Sequence, residues 1–471
     1  MDSTNNLLKL ENHYKGQRVF IIGSGPSLAY KDLSFLKNES TIGLNLSFLH
    51  MDQWSLQPTF NLVADKYIIP EFKEVFQNLI KDKKTKKVII ASACETFPED
   101  LEDNQTYFVP KKLPQDAINF SKNPVAEGFW RGKTVAFDAL QFAYFLGFSE
   151  VYIIGMDLSS NHDWGKNGHC YELQKNRKFP NLIFPKTESH IIQRGFPGHP
   201  EYFDLISSYM QKARESFEGA GRHVYNDSRS STDVFEKIDI LSKFGHIPKI
   251  VAFVPSKGTS SRVRGKNIRV LGDKPLFLHI LDTLLSSLTI NNVYLDTESD
   301  EVFNLAKGRR HHELRRPIEL ASNKTDGNHL LLYEASCVPD ADIYVQALPT
   351  APFLSRETID DAVFELIRAP NHDSVFAASM QKLYLWNKNC EPINYDPKNI
   401  PNSFELADTI IEAMSLYAIR KEALALRKSR IGKKPLIFRV PLIESIDINS
   451  EEDFQLADAI YRGLNSGGRN D

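Results

Sequence analysis

The sequence predicts an α/β protein of two domains, each a mainly parallel sheet flanked by helices. Short runs rich in Val and Ile alternate with longer helical patterns, as parallel strands and their crossover helices do. The pattern starts twice, at RVFII (18–22) and again at KIVAFV (249–254). A chain of 471 residues also exceeds one ordinary domain and suits two, each able to bury its own core.

In the first half, RVFII is followed by candidate strands at 41–45, 60–64, 87–92, 151–155 and 222–225, with a helix at 134–146 leading into the strand at 151–155. In the second half, KIVAFV is followed by apolar runs near Val293 and at 342–346, 374–378, 414–419 and 437–440. Between them KFGHIP (243–248) carries Gly and Pro and reads as a linker, which sets the domains at 1–243 and 249–471.

Composition narrows the function classes. The net charge of -3, with 42% hydrophobic and 25% charged residues, is that of a globular protein and lacks the basic footprint of a nucleic-acid binder. Small nucleotides remain plausible ligands. Cys94, Cys170, Cys337 and Cys390 are far apart and form no CxxC pair, which argues against a zinc site or a disulfide framework. The polar start MDSTNN has no signal-like apolar core, and no apolar run reaches the roughly 18 residues of a membrane span, so the expected location is cytoplasmic without a transmembrane segment.

The segment VPSKGTSSRVRGKN (254–267) leaves a predicted strand with two glycines and four basic side chains. Amides exposed at Gly258 could hold phosphate oxygens, and Lys257, Arg262, Arg264 and Lys266 could neutralise charge on a leaving pyrophosphate. The alternative is a solvated basic loop. The same segment resembles the opening signature of the CMP-sialic acid and CMP-Kdo synthetase superfamily, IPARGGSKGIPGKN. RPIELAS (316–322), QALPTAPFLSRETID (346–360) and ESIDINSEEDFQLAD (444–458) resemble three further segments of that superfamily, in the same order. The resemblance implies a cytidylyltransferase that joins CTP to an acidic keto-sugar, with release of pyrophosphate. It places Lys257, Gly258, Ser260, Lys266 and Asn267 on the CTP loop, with Arg262 standing in for a lysine that Ser261 replaces. It places Arg316 and Ser322 on the nucleotide pocket, and Asp447 with Asn449 at a magnesium ion. Lys266 and Asp447 are the implied catalytic residues. Taken alone, Asp447 reads as a turn residue capping the helix near Glu451. Leu348 and Leu354 stand where the superfamily carries a sugar-facing glutamine and an arginine, and so a keto-sugar acid related to sialic acid, or another CMP-activated group, is the expected substrate.

In the first half, RVFII runs into GSGPSL (23–28), where amides at a helix N-terminus would be available to an anion and Pro26 suits the first turn. Leu28 stands where GxGxxG needs its third glycine, which argues against a dinucleotide site; a tight turn without a ligand is the other reading. This opening, RGKTVAFDALQFAYFLGFSEVYIIGMD (131–157), GHPEYFD (198–204) and GRHVYNDSRSS (221–231) together resemble a superfamily of bacterial sialyltransferases, flagellin glycosyltransferase-like domains and archaeal 6-hydroxymethylpterin pyrophosphokinases. The sialyltransferase resemblance implies CMP binding at Gly23, Ser24, Gly25, Pro26, Ser27 and Thr134, with His199 as general base toward a glycan acceptor. His169 and His190 compete for that role.

Both halves are thus expected to be Rossmann-like. The implied whole is a bifunctional, homodimeric enzyme of surface-polysaccharide biosynthesis that makes a CMP-sugar and transfers it. The alternatives are a pterin-type pyrophosphokinase in the first half, or one domain kept for binding or oligomerisation.

Overall fold

A computed structural model describes residues 6–64, 72, 74–76, 87–92, 106–112, 118–157, 200–230, 233–245, 247–259, 263–322 and 324–466. His199, Ser260 and Arg262 lie outside them, as do His169, His190 and Ser261. The chain divides into two compact units, Met1–Ile247 and Pro248–Asp471.

The first unit holds β1 (Arg18–Ile22), β2 (Thr41–Leu44), β3 (Phe60–Val63), β4 (Lys87–Ser92), β5 (Thr106–Lys112), β6 (Phe129–Trp130), β7 (Glu150–Ile154), β8 (His223–Asp227) and β9 (Glu236–Ile238). They form one sheet in the order β6-β5-β4-β3-β2-β1-β7-β8-β9. All its pairings among the described residues are parallel. The β-branched run of β1 is buried at four of its five positions, as a central strand covered on both faces must be. From β1 the chain works outward to β6 and then crosses through helix α1 (Val135–Leu146) to β7 on the other side of β1. This reversal makes the carboxyl ends of β1 and β7 the switch point, where open α/β sheets bind ligands.

Helix α1 starts where the Thr134 side chain accepts a hydrogen bond from the Ala136 amide, and stops at Gly147, whose φ of 92° a larger residue would resist. Its sequence VAFDALQFAYFL is apolar almost all round because it is enclosed between the sheet and helix α2 (Pro200–Glu218). Phe137, Phe142, Phe145, Phe148 and Phe217 are fully buried in this core, each stabilising the fold by about 1.5–3 kcal/mol.

The second unit holds β10 (Ile250–Pro255), the small hairpin β11 (Val270–Leu271) and β12 (Lys274–Pro275), β13 (Asn292–Thr297), β14 (His312–Arg315), β15 (Ile343–Ala347), β16 (Ser374–Gln381), β17 (Thr409–Arg420) and β18 (Pro435–Arg439). The main sheet runs β14-β13-β10-β15-β17-β16-β18. Its first four strands are parallel, whereas β17 lies antiparallel to both β15 and β16. Its longer helices are α3 (Leu276–Leu285), α4 (Gly327–Cys337), α5 (Arg356–Arg368) and α6 (Glu451–Ser466). The order reverses between β10 and β15, which is its switch point.

Candidate active site

The carboxyl ends of β10, β13 and β15 face the segments singled out in the second half. After β10, the Ser256 amide donates to the Asp296 carbonyl at 2.8 Å and the Gly258 amide to Glu298 Oε1 at 2.8 Å. A Cβ on Gly258 would lie 2.5 Å from that of Ser299, so the loop can approach the end of β13 only as glycine. The Asn267 side chain donates to the Lys257 carbonyl at 2.8 Å and closes the loop on itself. Lys266 is buried, and its Nζ donates to the Ile448 carbonyl at 2.7 Å across 182 residues of chain. The Ile448 amide in turn donates to the Thr350 carbonyl at 2.9 Å. Three of the four ordered segments therefore meet at the residue next to Asp447.

Asp447 does not cap helix α6. The cap is reciprocal between Ser450 and Asp453: the Asp453 amide donates to Ser450 Oγ at 3.2 Å, and the Asn449 and Ser450 amides donate to Asp453 Oδ2 at 2.9 and 2.7 Å. Asp447 is left to the site. Asn449 Nδ2 donates to Asp447 Oδ2 at 2.5 Å, so Asn449 holds the carboxylate. Among the described residues no group of three or more His, Cys, Asp and Glu is placed to hold a metal. One carboxylate still suits magnesium, which commonly takes one or two carboxylates and completes its octahedron with water and substrate phosphates.

Arg316, expected on the nucleotide pocket, is buried. Its Nε and Nη2 grip the buried Asp296 carboxylate at 2.7–3.1 Å, and Nη2 also reaches the Asp296 carbonyl. It braces Asp296 near the carboxyl end of β13. Beside it, burial and the neighbouring Asp296 hold the Glu334 carboxyl well above the usual carboxylate range, and Gln346 Nε2 donates to Glu334 at 2.9 Å. Ser322 is exposed, and its hydroxyl lies 3.1 Å from that of Thr325.

In the first unit, GSGPSL does not open an α-helix. Pro26–Leu28 is a single 3-10 turn. The Ser27 amide and hydroxyl donate to the two oxygens of Asp157, at 2.6 and 2.5 Å, and the Gly25 amide donates to the Gly155 carbonyl. The expected anion position thus carries a carboxylate from the end of β7. A Cβ on Gly23 would come within 2.2 Å of the Gly155 oxygen, and one on Gly25 within 2.4 Å of Asp157. Thr134 serves as the cap of α1. Asp157 and Glu298 escaped the sequence reading, although each is an acid just past a strand whose carboxyl end lines a switch point.

Residues 251–426 match the family model of cytidylyltransferases. The cytidylyltransferase-like unit is 25% identical over 227 residues to N-acylneuraminate cytidylyltransferase of Escherichia coli, an alignment covering 46% of this chain and 53% of that protein. It is 25% identical over 218 residues to N-acylneuraminate cytidylyltransferase A of Danio rerio, covering 44% and 50%. It is 23% identical over 227 residues to CMP-N,N'-diacetyllegionaminic acid synthase of Legionella pneumophila, covering 45% and 96%. The chain spans about half the length of the first two of these curated relatives. Residues 1–163 match the 6-hydroxymethylpterin diphosphokinase MptE-like family model.

Proposed function

We propose that the cytidylyltransferase-like unit transfers CMP from CTP to an acidic keto-sugar of the nonulosonate type. The observation that carries the reading is Ile448, held by Lys266 on one side and Thr350 on the other, which sets Asp447 beside the basic loop after β10. In the reaction the sugar hydroxyl attacks the α-phosphorus of CTP, the bond to the β-phosphate oxygen breaks, and the hydroxyl loses its proton. Pyrophosphate leaves. Lys257 and Lys266 carry the positive charge that suits the triphosphate, and Asp447, oriented by Asn449, is the residue to hold magnesium. Magnesium so bound would neutralise charge at the α-phosphate. Full-length protein given CTP, magnesium and a panel of acidic sugars should release pyrophosphate; equal use of ATP, GTP and UTP would refute the reading.

For the first unit, CMP-sugar-dependent transfer to a glycan, with His199 as base, remains our proposal from the sialyltransferase resemblance. The second reading, a pterin-type diphosphokinase, is favoured by Asp157. A phosphate arriving at Ser27 meets a carboxylate there, which a nucleotide carrying magnesium tolerates better than free CMP does. Calorimetry of the full chain separates them. Binding of CMP without magnesium that Gly25→Val removes supports transfer, and binding of magnesium-ATP that Gly25→Val removes, with CMP binding unaffected by it, supports the diphosphokinase.

A further inference from the structure

The second unit contains a half-buried arginine that no ordered segment pointed to. The guanidinium of Arg430 lies over the Tyr417 ring at 3.7 Å, and its backbone amide is anchored on Asn328 Oδ1 at 2.9 Å. A Cβ at Gly327 would lie 2.3 Å from Arg430 Nη1, so the absence of a side chain at the start of α4 makes room for the guanidinium. The residue is therefore held in place from several sides.

Its polar partners are poor by comparison with those of Arg316. Nη1 reaches Gln346 Oε1 at 3.4 Å, Nη2 reaches the thioether of Met414 at 3.6 Å, and the Glu412 carboxylate stands 3.8 Å away. Arg316 meets its carboxylate at 2.7 Å through a two-pronged grip. A guanidinium makes its strongest contacts with a carboxylate in its own plane at about 2.8 Å. None of the described contacts of Arg430 is of that kind. Glu412 accepts a hydrogen bond from the Tyr417 hydroxyl, which gives it an anchor of its own if another anion takes the guanidinium.

The location joins this group to the reaction. Gln346 sits at the carboxyl end of β15, at the switch point, and bridges Arg430 to Glu334. Tyr417 feels the Asp447 carboxylate, which, after burial and Glu412, helps to push its hydroxyl pKa up. Met414 has a φ of 50° within an irregular stretch of β17, where the register with β16 shifts between Phe376 and Ala378. Such irregularities re-aim side chains beside active sites, and this one turns the sulfur toward Arg430 and Tyr417.

We propose that Arg430 binds the carboxylate of the acidic sugar, with Gln346 and Tyr417 orienting its guanidinium. The inference rests on the cytidylyltransferase reading and names the specificity residue of that site. In a cyclised keto-sugar acid the carboxylate is bonded to the same carbon as the attacking hydroxyl. Gripping the first therefore aims the second at the α-phosphorus.

The test measures pyrophosphate release by the full chain and by Arg430→Met and Arg430→Lys, with N-acetylneuraminate, 3-deoxy-manno-octulosonate, N,N'-diacetyllegionaminate and pseudaminate. The sugar KM should rise about 10- to 100-fold in Arg430→Met, as loss of a charge-assisted pair implies. It should rise less in Arg430→Lys, while the KM for CTP stays within about twofold. The unchanged CTP constant excludes a folding defect. A methyl ester of the accepted sugar should bind wild type and Arg430→Met equally poorly. Wild-type turnover with an unchanged sugar KM in both variants overturns the inference alone, as does a loss shared equally by CTP. A wild type that turns over none of the four sugars overturns the cytidylyltransferase reading and the inference with it.

Discussion

Replacing Arg316 with leucine separates a brace from a nucleotide contact. Both members of the Arg316–Asp296 pair are buried, and the arginine makes three contacts to the carboxylate and one to the carbonyl of the same residue. Removing it leaves a buried carboxylate beside Glu334, and breaking such a pair costs about 3–5 kcal/mol. In a unit of this size each kcal/mol lowers the melting temperature by about 2–4 °C, so Arg316→Leu should melt of the order of 10 °C earlier. Asp296→Leu combined with Arg316→Leu should recover most of that loss, because a well-packed apolar pair often replaces a buried ion pair without penalty. Thermal unfolding and calorimetry with CTP on the same preparations provide the assay. Unchanged melting with lost CTP affinity would refute the brace and return Arg316 to the nucleotide.

Asp447→Ala should lower turnover by about 10²–10³-fold with CTP affinity nearly intact, since its role lies in aligning the displacement; steady-state kinetics against CTP titration checks this. Burial raises the Asp138 carboxyl to about 6, against the lowering influence of Lys111 at 2.8 Å. A folded-state pKa above the unfolded value means the native state holds the proton longer, so stability falls as pH rises from about 4 through 6, by of the order of 3 kcal/mol. Asp138→Asn should flatten that slope in denaturant titrations of the first unit's transition; an unchanged slope would count against it. Gly25→Val drives a methyl into Asp157 and should cost about 1–3 kcal/mol and abolish nucleotide binding at that loop, measured by melting and calorimetry. Phe404, between β16 and β17, is exposed, so Phe404→Asp should change the stability of the second unit by no more than about 0.5 kcal/mol in thermal unfolding; a loss of several kcal/mol would refute that placement.

The strands at 41–44, 60–63 and 87–92, and the first five residues of the strand at 374–381, were legible because each is an apolar run closed by a break in the pattern. β5 was not, since Pro110 argues against a strand interior. It pairs with Ser92 just before β6 begins to cover the outer side at Lys111. β17 was seen only at 414–419, because its first residues are exposed and its course changes at Met414. That β17 runs antiparallel is a fact of pairing that no local pattern records. In the second unit Lys266 and Asp447 stand in motif segments and could be named from them, whereas Arg430, Glu334 and Glu298 are held by neighbours distant in sequence, as Asp157 is in the first unit.

The two glycine loops share one device. In each, a carboxylate from the next strand's end already occupies a loop amide, Asp157 on Ser27 and Glu298 on Gly258. A phosphate bound at either loop would have to displace that carboxylate, so its net gain would be the difference between two ionic hydrogen bonds. A loop built this way is held in shape by its own chain and would bind a phosphate loosely, which would favour rapid departure of a spent nucleotide over tight capture of a fresh one.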